Sequence, residues 1–208
     1  GYGFDQMIQY HVWTLIISLF SQGHTGVNMS EDIRHGRISA YLIYPFNFWE
    51  FHTAYFISFQ TLQLLISAFT LFLLNFSGLV NFDWFFVIQG FIYCVYTSFF
   101  WFAIQFLTGI ISFWLDETWM IRVMFGIVSA FLSGSILPLD FYPDAFANFL
   151  NYTPFPYLTY YPAKFFMGSE LDVLPKAYLI ISFWLIVLIF INRRVWQKGI
   201  KLHTAAGM

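Results

Sequence analysis

Charge is scarce in this sequence. Only 10% of its 208 residues are Asp, Glu, Lys or Arg, against about 25% in an ordinary soluble domain. That shortage excludes a conventional water-facing surface. With 59% hydrophobic residues, one core of this size cannot hide the apolar area, whereas lipid can. Cysteine is nearly absent. The single Cys94 lies in an apolar run, which excludes a disulfide framework within the chain and any cysteine-based metal cluster. The net charge of −2 leaves no basic footprint for nucleic acid. No Walker-type phosphate loop occurs, so the chain has no nucleotide-hydrolysing site of its own. No cationic leader with a small-residue cleavage site stands ahead of the first apolar run. The sequence opens on Gly1, and the expectation is a missing N-terminal piece.

What is present is aromatic and apolar. Aromatic residues make up 24% of the chain, 29 of them Phe, a composition suited to lipid-facing helices and interfacial belts. A membrane span takes about 20 mostly apolar residues. The candidates run over Met7–Gln22 (short and rather polar), Phe51–Leu74, Trp84–Leu115, Trp119–Leu137 and Ala177–Asn192. The third is long enough to tilt, kink or extend past the bilayer. No repeat or disordered linker interrupts them. The fold class expected is therefore all-α integral membrane: one polytopic domain over residues 1–208.

Positive charge orients the chain. With the tail in the cytoplasm, Gly23–Glu50 and Asp116–Glu117 fall on the same side. That side then holds Arg34, Arg37, Arg122, Arg193, Arg194, Lys198 and Lys201, against Lys164 and Lys176 outside. The chain start falls outside, so a cytoplasmic N-terminus requires one more span upstream and six in total.

Three polar interruptions stand out. In loop 23–50, Ser30 has the residue type of an N-cap, with Glu31 and Asp32 favourable in a first turn. Ile33, Arg34, Arg37, Ile38, Tyr41 and Leu42 follow at helical spacing until Pro45 stops the run. This predicts a short amphipathic helix, which serves either as an interfacial helix with snorkelling arginines or as a docking helix for a cytoplasmic partner. Segment 138–176 is external and rich in Pro, Tyr and Phe. Its prolines break it into short pieces, and irregular backbone is tolerated only at the interface, within protein or beside water. Phe146, Phe149 and Leu150 predict a short helix lying on the outer leaflet. The basic tail 193–208 reads as a stop-transfer anchor.

Catalytic constellations are sparse. His11, His24, His35, His52 and His203 form no helical ligand pair. The combinations of His11 with Asp5 and His52 with Glu50 are the nearest to an enzymatic cluster. Glu117 is placed to meet Arg122. Gln60, Gln63, Gln89 and Gln105 lie within spans, where polar side chains bond neighbouring helices or line a path.

Taken together, these segments resemble the permease subunits of type-2 ATP-binding cassette (ABC) transporters, in the bacterial six-span branch with a separate ATPase. The branch's first cytoplasmic loop reads roughly Ile-x-x-Gly-x-Leu-Asp-x-x-Leu-x-Arg-Pro. Here Ile33, Gly36, Leu42 and Pro45 match, while Ser39 and Tyr44 replace the Asp and Arg. The external signature of Gly, Pro-Leu, aromatic-Pro and Pro-Phe is matched in order by Gly134, Pro138-Leu139, Tyr142-Pro143 and Pro154-Phe155. Trp196, Lys198, Gly199, Lys201 and Gly207 resemble the branch's ending.

The resemblance implies an exporter in the bacterial cytoplasmic membrane. Two permease subunits, alike or different, form the pathway, and two ATPase subunits bind ATP and Mg below; this chain holds no cofactor. The loop helix becomes the coupling element. Arg34 and Arg37 meet ATPase acids, while Ile33, Ile38 and Leu42 fill its groove. The Gly134–Phe155 segment becomes the external gate, and the substrate an apolar, lipid-like or drug-like molecule. A membrane-embedded lipid-modifying enzyme and an ATP-independent channel or scaffold subunit are the alternatives.

Overall fold

The structure, a computed structural model, describes residues 3–21, 25–41, 43–76 and 83–206. Among these, helices α1 (Phe4–Ser21), α2 (Thr25–Arg34), α3 (Ile38–Tyr41), α4 (Phe48–Phe76), α5 (Trp84–Ile110), α6 (Trp119–Leu132), α7 (Asp144–Leu150), α8 (Tyr160–Phe166) and α9 (Leu174–Ala206) follow in order, with no strand. Single 3-10 turns lie at Ile111–Phe113, Leu139–Phe141, Phe155–Leu158 and Leu171–Val173.

Each of the predicted apolar runs contains a helix. Among the described residues, three helices are long and apolar enough to cross a membrane: Phe48–Phe76, Trp84–Phe113 and Leu171–Leu202. The first and fourth runs fall short of that criterion. α1 carries Asp5, Gln6, Gln9 and His11 in its first half. α6 has 14 residues, about 21 Å at 1.5 Å per residue, less than the roughly 30 Å of hydrocarbon. It stops at Leu132 instead of Leu137 because Gly134 takes a left-handed φ of 80°. The Ser135 amide donates back to Ala130 O at 3.2 Å and the Gly134 amide to Phe131 O at 3.4 Å, the Schellman pattern that closes a helix. The basic tail also differs from expectation: α9 continues unbroken through Arg193 and Lys201 to Ala206.

α5 is the central helix. Within its most apolar window 61% of residues are buried, against 11% for α4 and for α9. The last two expose Ile57, Leu65, Phe69, Leu179, Phe183 and Ile186, the outward apolar faces expected of helices in lipid. α2 crosses α5 where both backbones are bare. A Cβ on Gly26 would sit 2.6 Å from Gln105 O, and one on Gly109 would sit 2.8 Å from Met29 Cβ. Small residues at such crossings let helices approach closely enough for dispersion contacts to hold them.

The buried side chains form two clusters. One joins Met29, Ile33, Ile38, Phe48, Phe56, Phe102, Phe106 and Ile110 near loop 25–47. The larger joins α1, α5, α8 and the proline-rich segment. The molecule thus has a basic end and a tyrosine-rich end. At the basic end, Phe48 and Phe113 both meet Trp196, with ring centroids 5.0 and 5.7 Å apart. At the other end, Trp184 Nε1 donates to Tyr152 O at 3.2 Å.

Candidate functional site

The loop helix at the basic end lies earlier in the chain than its sequence pattern suggests. α2 begins at Thr25, so Ser30 is an interior residue, not an N-cap, and its hydroxyl donates to Val27 O at 2.8 Å. The helix breaks at Gly36 (φ 68°), where the Gly36 amide donates to Ile33 O at 3.1 Å and the Arg37 amide to Asp32 O at 2.9 Å. This is the same closure as at Gly134. The run from Ile33 to Tyr41 is therefore the end of α2 and a separate α3, not one helix. Pro45 lies exposed in the turn between α3 and α4. Leu42 lies outside the described residues.

Asp32 is the hub of this loop. Its carboxylate accepts from Arg37 Nη1 at 3.1 Å and from the Tyr41 hydroxyl at 2.7 Å, and it lies 3.4 Å from His52 Nε2. Only 6% of the residue is exposed. A buried carboxylate without partners costs several kcal/mol, and this one is compensated by Tyr41 of α3 and by Arg37 beside the Gly36 turn. Burial and the bond to Asp32 raise the pKa of the Tyr41 hydroxyl, which keeps it a donor. His52 does not meet Glu50, the combination that the alternative enzymatic reading would need. Glu50 turns back to accept from the Asn47 amide at 2.9 Å and from Asn47 Nδ2 at 3.2 Å, a capping arrangement that starts α4. Sequence spacing missed the hub because Asp32 and His52 meet only through the fold.

Other contacts join the loop to α6. Arg122 Nη1 donates to Thr118 Oγ1 at 3.1 Å and to Gly26 O at 3.3 Å. The expected Glu117–Arg122 pair is replaced by Glu117 with Arg34 at 3.8 Å, both well exposed and so worth little by themselves. Ile33 and Ile38 turn inward to the chain's own core at 6% and 1% exposure, away from any partner's groove. The outward face consists of Glu31, Arg34, His35, Arg37, Ser39, Ile43 and Tyr44. Gln60 Nε2 donates to Phe20 O at 3.0 Å, which binds α4 to α1.

The proline-rich segment is a packed plug. Gly134 has no room for a side chain: a Cβ would meet Leu139 Cδ1 at 2.9 Å and Tyr160 Cβ at 3.0 Å. Its carbonyl accepts from the Tyr10 hydroxyl at 2.6 Å. Pro138 and Leu139 are buried, while Tyr142 lays its ring edge-on to Phe131 and donates to Phe131 O at 2.9 Å. Pro143, exposed, precedes α7, the short helix expected around Phe146 and Leu150. Pro154 is buried, and Phe155 approaches Phe125 of α6 at 6.4 Å.

Sequence reasoning missed the tyrosines that knit this plug. Tyr93 OH donates to Tyr157 O at 3.0 Å, Tyr157 OH to Asn151 O at 3.0 Å, and Tyr161 OH to Asn151 Oδ1 at 2.9 Å. Asp140 accepts from Tyr160 OH at 2.9 Å and meets Lys164 Nζ at 3.4 Å. Burial raises the pKa of the Tyr157 and Tyr161 hydroxyls, so they remain donors. The available signal was the density of Tyr between Tyr152 and Tyr161, where a hydroxyl can satisfy backbone that prolines leave irregular.

Both regions tie helix ends together through irregular backbone. Residues 1–207 match the family described as ABC-2 family transporter protein. No curated protein and no solved structure matches the chain. The chain belongs to the ABC-2 family of transporter membrane proteins.

Proposed function

We propose that this ABC-2 family membrane protein is the permease subunit of an ATP-driven exporter, coupled to a separate ATPase through the outward face of the Thr25–Tyr41 loop. The observation that carries this reading is the Asp32 hub together with Arg122. Between them, the loop is packed against α4, where His52 Nε2 lies 3.4 Å from Asp32, and is hydrogen-bonded to α6 through Arg122. A force on Glu31, Arg34, His35 or Arg37 is then passed to the spans instead of being absorbed by a soft loop. A two-state permease biased by nucleotide needs such a rigid link.

In this reading the basic end is cytoplasmic, in a bacterial inner membrane. Two ATPase copies hold ATP and Mg, and a second permease subunit completes the pathway. Gly134, Leu139, Tyr142 and the Pro154–Phe155 turn form the external gate around an apolar or lipid-like substrate. Arg34 and Arg37 supply charge to the ATPase contact, while Gly36 sets the turn, and Ile33 and Ile38 support it from within. Co-purification with an ABC ATPase, and stimulation of its turnover, tests the proposal. Arg34→Glu combined with Arg37→Glu is expected to weaken both. If assembly and coupled turnover survive the double variant, the loop is not the docking element.

A further inference from the structure

A second feature of the basic end is unused by that mechanism. A cavity of about 520 Å³ opens between α3, the start of α4, α5 and α9. Its volume falls within the roughly 300–1,000 Å³ of small-molecule sites. Its walls include Tyr41, Trp49, Phe106, Ile189, Arg193 and Trp196. We infer that this cavity binds an anionic glycerophospholipid, with the phosphate on Arg193 and the first part of an acyl chain against Trp49, Phe106 and Ile189.

The argument starts from charge. Arg193 lines the cavity, is exposed, and has no ion-pair partner among the described residues. Of the carboxylates beside the walls, Glu50 is turned onto Asn47, and Asp32, bonded to Tyr41, is paired with Arg37. Arg194, the next residue, points elsewhere, with its guanidinium carbon 4.7 Å from the centre of the Phe190 ring. The cavity therefore offers one unopposed cation above an aromatic slot. Trp49 and Trp196 have the amphipathic ring that settles at headgroup level. Trp49 and Ile189 remain 43% and 49% exposed, so the slot is open at its lipid-facing side. Basic pockets between spans are suited to acidic headgroups, and one such cation is worth about fivefold in lipid preference. The proposal needs only that the chain sits in a bilayer, and it holds whether or not an ATPase docks on the loop.

Native mass spectrometry of the full chain, with phosphatidylglycerol and phosphatidylcholine supplied at equal concentration, tests the site. Wild type is expected to retain phosphatidylglycerol about fivefold over phosphatidylcholine. Arg193→Gln should bring that ratio to about one, while Arg194→Gln leaves it unchanged. Ile189→Trp, which fills the slot, should lower retention of both lipids. Soluble glycerol phosphate at the same concentration should not compete, since it lacks the chain. A wild-type ratio of one overturns the proposal. So does an Arg194→Gln effect equal to that of Arg193→Gln, which reduces the preference to general surface charge. Lipid carried by monomers but excluded from dimers also overturns it, because the cavity is then a contact between copies.

Discussion

Asp32 shows how much a single carboxylate can hold together. Asp32→Asn keeps the shape but removes the charge that Arg37 and Tyr41 share. Because Arg37 is more than half exposed, the full cost of breaking a buried pair is discounted, and about 1–3 kcal/mol of stability should be lost. Tyr41→Phe should cost about 1 kcal/mol, and the double variant less than the sum, as measured by denaturant unfolding in detergent. Additive losses would mean that the two groups do not act through one hub. Two of the three left-handed glycines among the described residues, Gly36 and Gly134, separate by their surroundings. Gly36→Ala meets nothing within 4 Å, so only the backbone penalty of about 1–2 kcal/mol applies. Gly134→Ala incurs the same penalty and drives a methyl into Leu139 and Tyr160. It should therefore be clearly the more destabilising when both are melted side by side. The sequence shows both glycines, but not which one is crowded, because Tyr10 and Tyr160 reach Gly134 from distant parts of the chain.

At the level of elements, hydropathy located the helices and misjudged their ends. Phe51–Leu74 and Ala177–Asn192 fall inside observed helices, as does the described part of the first run, 7–21, because burial in lipid demands a continuous apolar stretch. Helix termination obeys local geometry instead. Gly134 closes α6 inside an apolar run, and Gly36 splits a periodic one, and neither event alters composition. The basic residues after Asn192 end the apolar signal but not the helix, since Arg and Lys are good helix formers. The α2–α5 crossing supplies an element-scale prediction. Gly109→Val would place side-chain atoms against Met29 and Gly26 O and push α2 off α5. Amide hydrogen exchange across Thr25–Tyr41 should then quicken, while exchange in α8 stays slow. Equal quickening in both would show global loosening instead of a released loop.

For the whole molecule, polarity is arranged along one axis and lipid exposure around it. Ile186 on α9 and Phe69 on α4 are 67% and 63% exposed. Placing Lys at either position should cost about 2.5–3.5 kcal/mol of insertion free energy. The measurable outcome is reduced membrane-integrated protein. Integration unaffected by both changes would mean that these faces do not meet lipid. The division into ends was readable from the distribution of Arg and Lys. The knitting of residues 138–173 into a plug was not, because Asn151, Tyr157 and Tyr161 bond through side chains whose meeting depends on the path between prolines.

The length of α9 carries a mechanical consequence. Its 33 residues make a rod of about 50 Å, longer than the roughly 40–45 Å of a bilayer with its headgroups. Such a rod answers a thinner bilayer by leaning. Near its far end Trp196 is stacked on Phe48, where α4 begins, so the lean reaches the first turn of a second span. Membrane thickness thereby becomes an input to the machine. In the proposed complex with an ATPase, turnover in vesicles of graded acyl-chain length should pass through an optimum, and Trp196→Ala should flatten that curve.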